Sequence, residues 1–287
     1  MWTEIAEHIA KVTKKAFSVT NRRSVSGGCI NQGYAVTGDT GTYFVKLNQA
    51  SLVAMFEAEA QGLQQMLETD AIRVPKPLCW GTAAESAYLV LEWLELGRGD
   101  TQAWEKMGRC LAAMHSHTSN KGFGWKQNNN IGSTPQINTW TADWVEFYTQ
   151  HRLGYQFQRA LQRGGHFPQQ ERLLAAIPQL LAHAPKPSPV HGDLWGGNAA
   201  FTVSGEPVIF DPAVYFGDRE VDVAMTELFG GFPAAFYHGY NEVFPLTPGY
   251  EQRRTLYNLY HILNHFNLFG GGYGSQANRM IEQILSA

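Results

Sequence analysis

The chain has 287 residues, a length sufficient for two lobes that each bury their own core. The net charge is −3 and there is no basic block, so nothing in the charge indicates a nucleic-acid or anionic-membrane partner. Three scattered cysteines favour neither a disulfide framework nor a zinc site, and we expect a reducing, cytoplasmic location. No apolar run approaches the length of a membrane span, so no membrane partner is expected.

The first part of the chain alternates between strand-like and turn-like segments around one main helix. Ile5 and Ile9 recur at helical spacing near the N-terminus, and Met55, Glu59 and Leu63 do so later. The predicted helices are residues 2–16 and 51–67. β-Forming residues dominate the segments around them. The predicted strands are residues 34–37, 42–47, 78–81 and 88–94.

From about residue 101 a helical pattern dominates, and only short extended pieces interrupt it. These pieces are residues 189–191, 199–203 and 208–210. A β-rich segment followed by a helical one predicts an α+β fold with two lobes. Residues 1–94 would form a small lobe with an antiparallel sheet and one main helix, joined by a hinge at about 92–97. Residues 98–287 would form a larger, mostly helical lobe.

The segment 191–198 reads His-Gly-Asp-Leu-Trp-Gly-Gly-Asn. It has the spacing of the protein-kinase catalytic loop, H-R-D-L-x-x-x-N, with glycine in place of arginine. A strand-like run leads into Asp211, thirteen residues after Asn198. Phosphoryl transfer to an alcohol needs a carboxylate that accepts the hydroxyl proton, together with oxygen ligands for Mg²⁺. We therefore predict Asp193 as the base and Asn198 and Asp211 as the metal ligands.

Lys46 in a predicted strand and Glu59 on the following helix form a second element of the same chemistry. In kinase-like folds a strand lysine contacts the ATP phosphates and pairs with a helix glutamate. Glu57 is the alternative partner, but Glu59 shares the apolar helix face with Met55 and Leu63. Lys46 and Glu59 are therefore predicted to bind nucleotide in the first lobe, and the second lobe would carry the catalytic loop and the acceptor site.

A glycine-rich segment, residues 27–33, precedes the lysine strand. At Gly27, Gly28 and Gly33 the lack of a side chain would let backbone N–H groups approach the phosphates. A strand and not a helix follows, which argues against a Rossmann or Walker-type site. Cys29 lies in this segment; an inert small residue is the favoured interpretation, and a redox-sensitive thiol is the alternative.

The β-rich part of the chain ends at Glu92, Trp93 and Leu94. In this architecture the linker between the lobes offers backbone groups to the adenine edge, so these three residues are predicted to bind ATP. An ordinary buried strand end is the alternative. Further on, His115 ends a helical stretch, where an imidazole more often caps carbonyl groups than binds a metal. Asp222 begins an apolar helix, where a carboxylate caps the helix or braces the catalytic loop.

Over nearly its full length, the sequence resembles the fructosamine 3-kinase or ketosamine 3-kinase family, a branch of the aminoglycoside-phosphotransferase-like kinases. The segments NNNIGSTPQ, NTWTADWVEF and HGDLWGGN carry the resemblance most specifically. The resemblance implies a protein-kinase-like fold and ATP-dependent phosphorylation of the 3-hydroxyl of ketosamines. These are fructosamine or ribulosamine adducts of free amines or of lysines on proteins. A phosphate beside the ketone is a good leaving group, so the product would release the amine, which makes the reaction a deglycation.

The resemblance also implies roles for individual residues. Asp193 would accept the proton, Asn198 and Asp211 would bind the metal, and Lys46 would contact the ATP phosphates. A neutral sugar is held by several hydrogen bonds at once, and a site built for a hydroxyl rejects analogues that lack it. Besides Asp193, the candidate sugar contacts are Trp195, Tyr215, Asp218 and His265.

Two alternatives stay open. The same fold could phosphorylate another alcohol, such as an aminoglycoside or choline. Those acceptors are cationic and call for clustered carboxylates, which the helical part of the sequence does not show. The second alternative is a non-catalytic nucleotide-binding protein. The joint presence of Asp193, Asn198, Asp211 and Lys46 argues against it, because such a protein has no chemical need for all four.

Overall fold

The computed structural model describes residues 1–25 and 30–286. The chain forms two compact units. The first comprises Met1–Ala103 and Gly197–Pro212, and the second comprises Trp104–Gly196 and Ala213–Ala287. The first unit is therefore built from two stretches of chain. The sequence-based division at residues 94 and 98 is linear and places 197–212 with the helical part.

Strands and helices follow in chain order. The strands are β1 Val19–Val25, β2 Gln32–Gly38, β3 Gly41–Gln49, β4 Pro77–Ala83, β5 Ser86–Glu92, β6 Leu96–Gly97, β7 Asn129–Ile131, β8 Thr134–Gln136, β9 Ser188–Val190, β10 Ala199–Thr202, β11 Pro207–Ile209 and β12 Tyr215–Gly217. The α-helices are α1 Trp2–Thr13, α2 Val53–Leu67, α3 Thr101–His115, α4 Trp144–Phe147, α5 Tyr155–Gln162, α6 Gln170–Leu180, α7 Glu220–Leu228, α8 Ala234–Val243, α9 Tyr250–Phe269 and α10 Tyr273–Ser286. A 3₁₀ turn, Ala50–Leu52, precedes α2, and a π-helical segment, Tyr148–Gly154, joins α4 to α5.

The main sheet of the first unit is antiparallel, and its described strands follow the order β1-β2-β3-β5-β4. On β3, Lys46 lies beside Gly33 of β2 and Leu89 of β5. Val45 and Leu47 belong to a buried cluster that also contains the apolar face of α1. Because side chains alternate along a strand, Lys46 lies on the opposite face of the sheet, where α2 packs against β4 and β5.

A second, smaller sheet completes the first unit. β10 and β11 form an antiparallel hairpin, and β6 pairs with the other edge of β10. The N–H of Ile209 on β11 donates to the carbonyl of Arg73, 3.1 Å away. Gly99 approaches the ring of Phe201 so closely that an added Cβ would lie 2.3 Å from it. The segment after β5 is thus hydrogen-bonded and packed against the 197–212 hairpin.

The second unit is mostly helical, and α9 is its long buried helix, in contact with α5, α7 and α10. Two short antiparallel pairs lie in the same unit, β7 with β8 and β9 with β12. The β9–β12 pair sets Val190 opposite Tyr215 and leads directly into residue 191. In the part of the chain that the structure describes, no helix combines the length and apolarity needed to cross a membrane. The α+β architecture predicted from the sequence is confirmed.

Candidate active site

A buried lysine with two carboxylate partners is the most prominent charged group of the first unit. Lys46 is 4% exposed, and its Nζ donates to Glu59 Oε1 at 2.6 Å and to Asp211 Oδ1 at 2.5 Å. Glu57 lies on the exposed side of α2 and accepts a hydrogen bond from Gln61 instead. The predicted pairing of Lys46 with Glu59 is confirmed; contact with ATP phosphates stays a prediction.

The charge balance of this triad follows from its burial. Burial lowers the pKa of Lys46, but the negative charges of Asp211 and Glu59 outweigh that effect and raise it above its usual range. Burial raises the pKa of Glu59, and the ammonium of Lys46 only partly offsets the increase. The lysine therefore keeps its charge at neutral pH, while two carboxylates compete for one cation.

The two predicted metal ligands flank the same hairpin. Asn198 immediately precedes β10, and Asp211 follows two residues after β11. The N–H of Phe210 donates to the carbonyl of Asn198 at 3.1 Å, so the two ends of the hairpin meet. Asp211 has a φ of +58°, a left-handed conformation that is uncommon for a non-glycine residue, and its side chain is 38% exposed. An amide oxygen and a carboxylate are hard donors that fit Mg²⁺.

The glycine-rich segment is only partly described. Gly27, Gly28 and Cys29 lie outside the described residues, so the predictions for them stand as made. Gly33 lies on β2 beside Lys46. An added Cβ there would lie 3.0 Å from the Phe44 ring and 3.1 Å from a carbonyl oxygen of β1, so packing already accounts for a glycine at this position.

The carboxylate of Glu92, at the end of β5, accepts a hydrogen bond from Arg73 Nη2 at 2.5 Å. Its backbone N–H donates to the carbonyl of Lys76 at 2.9 Å. Trp93 and Leu94 follow as half-buried residues without regular structure. Glu92 thus connects the linker to the segment after α2, and the adenine contacts of all three linker residues stay predictions.

The loop that carries Asp193 begins where β9 ends. Gly192 has a φ of +81°, and an added Cβ would lie 2.2 Å from the carbonyl oxygen of Ala213. Arginine, the residue of the protein-kinase motif, would therefore meet both backbone strain and a steric clash here. The backbone N–H of Asp193 donates to Nδ1 of His191 at 3.2 Å, and the side chain of Asp193 is half-buried. Local geometry thus explains the glycine that distinguishes this loop.

A buried carboxylate holds the loop backbone. Asp222 accepts hydrogen bonds from the N–H groups of His191 at 2.6 Å and Gly192 at 2.8 Å. Burial raises the pKa of Asp222. The hydrogen bond and charge of His115, the charge of His191 and the hydrogen bond from the Gly192 N–H outweigh this effect, so the pKa lies below its usual value. The imidazole of His115 was expected to cap its own helix. Instead, its two ring nitrogens form hydrogen bonds with Tyr240 and Asp222. The bracing role considered for Asp222 is what the hydrogen bonds show.

Two of the predicted sugar contacts lie on one aromatic surface. Trp195 is 39% exposed, and its ring lies edge-on to Phe229 with centroids 6.3 Å apart. The ring centroid of His265 lies 5.0 Å from that of the same Phe229 and 5.1 Å from that of Tyr273. Burial lowers the pKa of His265, which favours a neutral imidazole. Trp195 and His265 thus border a common surface through Phe229.

The other two predicted sugar contacts lie in the interior. Tyr215 is buried beneath the guanidinium of Arg152, which lies 4.0 Å from the ring centroid. Asp218 is also buried and accepts hydrogen bonds from Tyr257 and from His183. Both side chains are enclosed by protein groups, so an acceptor would not reach them in this conformation. The structure therefore brings Trp195 and His265 to the surface but not Tyr215 and Asp218.

The comparisons with known proteins agree on one family. A family model described as fructosamine kinase matches residues 1–287. A probable ketoamine kinase of Synechocystis sp. is 56% identical over 285 residues, which cover 99% of this chain and 97% of that protein. A chloroplastic protein-ribulosamine 3-kinase of Oryza sativa subsp. indica is 46% identical over 279 residues, which cover 94% of this chain and 80% of the relative.

Solved structures give the same result for the fold. A crystal structure from Haemophilus somnus 129PT, described as "Putative fructosamine-3-kinase", superposes with a TM-score of 0.93 at 30% identity and covers 99% of this chain and 98% of that one. An aminoglycoside phosphotransferase, a thermostable mutant of APH(4)-Ia in ternary complex with ADP and hygromycin B, has a TM-score of 0.64 at 16% identity, with 99% and 98% coverage. At that identity the likeness shows the fold alone. The predicted protein-kinase-like fold is confirmed.

Proposed function

Because the chain belongs to the fructosamine kinase family, we propose that it transfers the γ-phosphoryl group of ATP to the 3-hydroxyl of a ketosamine. Membership makes the protein a phosphotransferase; the acceptor and the position of transfer are the proposal. The observation that carries it is the buried triad of Lys46, Glu59 and Asp211, in a chain that also has Asp193 and Asn198 at kinase spacing. The names of the relatives support the acceptor class.

In the proposed reaction, Asp193 orients the acceptor hydroxyl and takes its proton as the oxygen attacks the γ-phosphorus of ATP. The bond from that phosphorus to the β–γ bridging oxygen breaks, and ADP leaves with the electron pair. Lys46 contacts the α- and β-phosphates, while Glu59 holds the ammonium in place at 2.6 Å. Asp222 holds the loop that carries Asp193 through the backbone N–H groups of His191 and Gly192.

Asn198 and Asp211 would hold Mg²⁺. When bound, this ion would neutralise charge on the phosphates. The donors fit, because both are oxygen ligands and they flank one hairpin. Asp211 also bonds to Lys46, so the same carboxylate would connect the lysine to the metal site.

The aromatic surface of Trp195, Phe229 and His265 supports contact with the neutral sugar part of the acceptor. Aromatic rings suit the C–H face of a sugar, and a neutral imidazole donates or accepts a hydrogen bond with a hydroxyl. We therefore retain Asp193, Trp195 and His265 as the proposed acceptor contacts. Tyr215 and Asp218 would act from the interior by supporting the loop.

The product would undergo deglycation. Loss of a proton from the amine-bearing carbon and of phosphate from C3, followed by hydrolysis of the imine, would release the amine. Free ketosamines and glycated lysines on proteins both fit this chemistry. The reducing, cytoplasmic location predicted from the sparse cysteines is part of the same proposal.

The test measures ADP and phosphorylated product after incubation with ATP, Mg²⁺ and ribulose-lysine or fructose-lysine. We expect turnover that requires the ketosamine and that chelation of Mg²⁺ abolishes. Asp193→Asn should lower kcat by at least about 100-fold, the range of general-base catalysis, while ATP binding is retained. Turnover with only an aminoglycoside or choline would overturn the proposed ketosamine acceptor, and the kinase activity would stand. ATP binding without turnover on any alcohol would favour the non-catalytic alternative.

A further inference from the structure

Three buried amide side chains of the second unit form a network outside the residues used so far. Asn129 and Gln136 lie on the β7–β8 hairpin, and Asn138 follows it by two residues. All three are buried, and they belong to the sequence segment most specific to the family resemblance. We call Asn129, Gln136 and Asn138 the amide clamp. A buried amide costs free energy unless its donors and acceptors are paired, so the partners of these groups matter.

The side-chain donors of Gln136 and Asn129 reach two consecutive backbone carbonyls, and Asn138 Nδ2 also donates to the carbonyl of Gln127 at 3.2 Å. Gln136 Nε2 donates to the carbonyl of Ala213 at 3.0 Å and to Asn129 Oδ1 at 2.9 Å. Asn129 Nδ2 donates to the carbonyl of Val214 at 2.8 Å. Asn138 Nδ2 donates to the same Asn129 Oδ1 at 2.8 Å. The clamp therefore fixes two consecutive peptide carbonyls.

Two further side chains, Arg152 and Tyr260, donate hydrogen bonds to the amide oxygens of the clamp. Arg152, on the π-helical segment, is fully buried and donates from Nη2 to Asn138 Oδ1 at 2.8 Å. The hydroxyl of Tyr260 donates to Gln136 Oε1 at 2.7 Å. Hydrogen bonds from a charged donor are stronger than neutral ones, and bonds in a chain polarise one another. Because the oxygen of Gln136 accepts from Tyr260, its amide nitrogen is directed towards Ala213.

Ala213 connects the amide clamp to the catalytic loop. Its N–H donates to the carbonyl of His191 at 2.8 Å, and its carbonyl oxygen is the atom that an added Cβ on Gly192 would meet at 2.2 Å. A displacement of Ala213 would therefore displace the residues just before Asp193. Asp222 holds the N–H groups of the same two loop residues.

We propose that the amide clamp positions the catalytic loop: Gln136 and Asn129 act through Ala213 and Val214 to fix the carboxylate of Asp193 for proton transfer. These are positioning residues, since they reach the reaction through the backbone. The activity part of this inference rests on the proposed kinase function. Catalysis is sensitive to small displacements of the reacting groups, so a loosened clamp lowers kcat while nucleotide affinity is kept.

Gln136→Met tests the proposal, because it keeps the approximate volume and removes both donors. We expect kcat to fall at least about tenfold, with the KM for ATP changed less than about twofold. Hydrogen exchange of the peptide spanning residues 188–198, measured by mass spectrometry, should become faster. Tyr260→Phe removes the hydroxyl that donates to Gln136 and leaves both donors of Gln136 in place. It should therefore give a smaller change in the same direction, and it serves if Gln136→Met does not fold.

Tyr250→Phe is the matched control. It loses one partly buried hydrogen bond, from its hydroxyl to Glu227 Oε1 at 2.6 Å, and the carboxylate of Glu227 pairs with Arg254 in a different network. We expect a lower melting temperature with unchanged kcat and unchanged exchange at 188–198. If the clamp only stabilised the fold, Gln136→Met and Tyr260→Phe would also lower the melting temperature with unchanged kcat and unchanged exchange at 188–198. That result would overturn the proposal.

The exchange measurement separates this inference from the proposed function. If the wild-type protein shows no turnover with any acceptor, the proposed function fails. Faster exchange at 188–198 in Gln136→Met or Tyr260→Phe than in Tyr250→Phe would still support the clamp. Equal exchange in all three variants would overturn it.

Discussion

The Nζ atom of Lys46 lies 2.5 Å from Oδ1 of Asp211, although the two residues are 165 positions apart in the chain. Lys46 comes from the middle of the main sheet, and Asp211 comes from the end of the β10–β11 hairpin. The residue proposed to contact phosphate and a residue proposed to hold Mg²⁺ therefore share a hydrogen bond. A substitution of Lys46 or of Asp211 would therefore affect both phosphate binding and Mg²⁺ binding.

Lys46→Met should lower both stability and activity. The substitution leaves the carboxylates of Glu59 and Asp211 close together without their cation, and removal of one partner from a buried ion pair typically costs about 3–5 kcal/mol. Urea unfolding measures this loss, and steady-state kinetics should show kcat reduced at least about 100-fold. The double variant Lys46→Met/Glu59→Gln should regain part of the stability but none of the activity. Wild-type stability in the single variant would contradict the electrostatic account.

Gly192→Ala should be more damaging than Gly205→Ala, although both glycines have nearly the same φ. Their φ values are +81° and +79°, so a left-handed alanine costs about 1–2 kcal/mol at either position. Only at Gly192 would the Cβ clash with the carbonyl of Ala213; at Gly205 no described atom lies within 4 Å. We expect kcat to fall at least about tenfold for Gly192→Ala and to stay unchanged for Gly205→Ala. Equal kcat in both variants would remove the close contact as a determinant of loop geometry.

His261 should make the protein less stable as the pH falls below neutrality. Burial, with positive charge from neighbouring groups, lowers its pKa from 6.5 to about 3. The unfolded chain binds a proton below about pH 6.5 and the folded chain does not, so the stability present above pH 6.5 is lost as the pH falls towards 3. Between pH 6.5 and about pH 5 this single group accounts for about 2 kcal/mol.

Urea unfolding at pH 7.5 and pH 5 tests this assignment. His261→Gln removes the titrating group, so its stability should depend on pH less steeply than that of the wild-type protein, by about 2 kcal/mol over this interval. Other buried histidines contribute in both proteins and cancel in the comparison. An identical pH dependence of the two proteins would show that folding does not lower the pKa of His261.

Local patterns predicted the elements that carry the lysine and its partner. Alternation along β3 and helical spacing along α2 determine which face each side chain occupies, so Lys46 and Glu59 could be paired from the sequence. The approach of Asp211 could not be predicted in this way, because 165 residues of chain separate the partners. The spacing of the catalytic loop from Asp211 predicts roles for Asp193, Asn198 and Asp211, and it does not give the contacts of these residues.

Other elements lacked a readable local signal. β1 was not predicted, because its sequence VTNRRSV is largely polar and its middle residues are exposed. Strands β7, β8 and β12 are only three residues long, which is too short for periodicity to indicate. His115 was interpreted as a helix cap because its buried partners, Asp222 and Tyr240, come from distant helices.

Residue type alone also misplaced two of the candidate sugar contacts. Tyr215 and Asp218 have groups that bind sugars, and both lie close in sequence to Asp211, the proposed metal ligand. The structure buries them, one beneath Arg152 and the other against Tyr257. Burial depends on which helices pack above a residue, and that information is spread over the whole second unit. The surface exposure of Trp195 likewise becomes evident only in the folded protein.

The two-part composition of the first unit sets an order for its folding during synthesis. Residues 1–103 leave the ribosome before the hairpin of 197–212 that completes the unit. At about 5–20 residues per second, the delay is on the order of 5–20 seconds. During that interval β6 has no β10 to pair with, and Lys46 has no carboxylate from Asp211. The nascent N-terminal segment must therefore wait for chain made much later, and a ribosome that stalls before residue 197 would release an unfinished first unit.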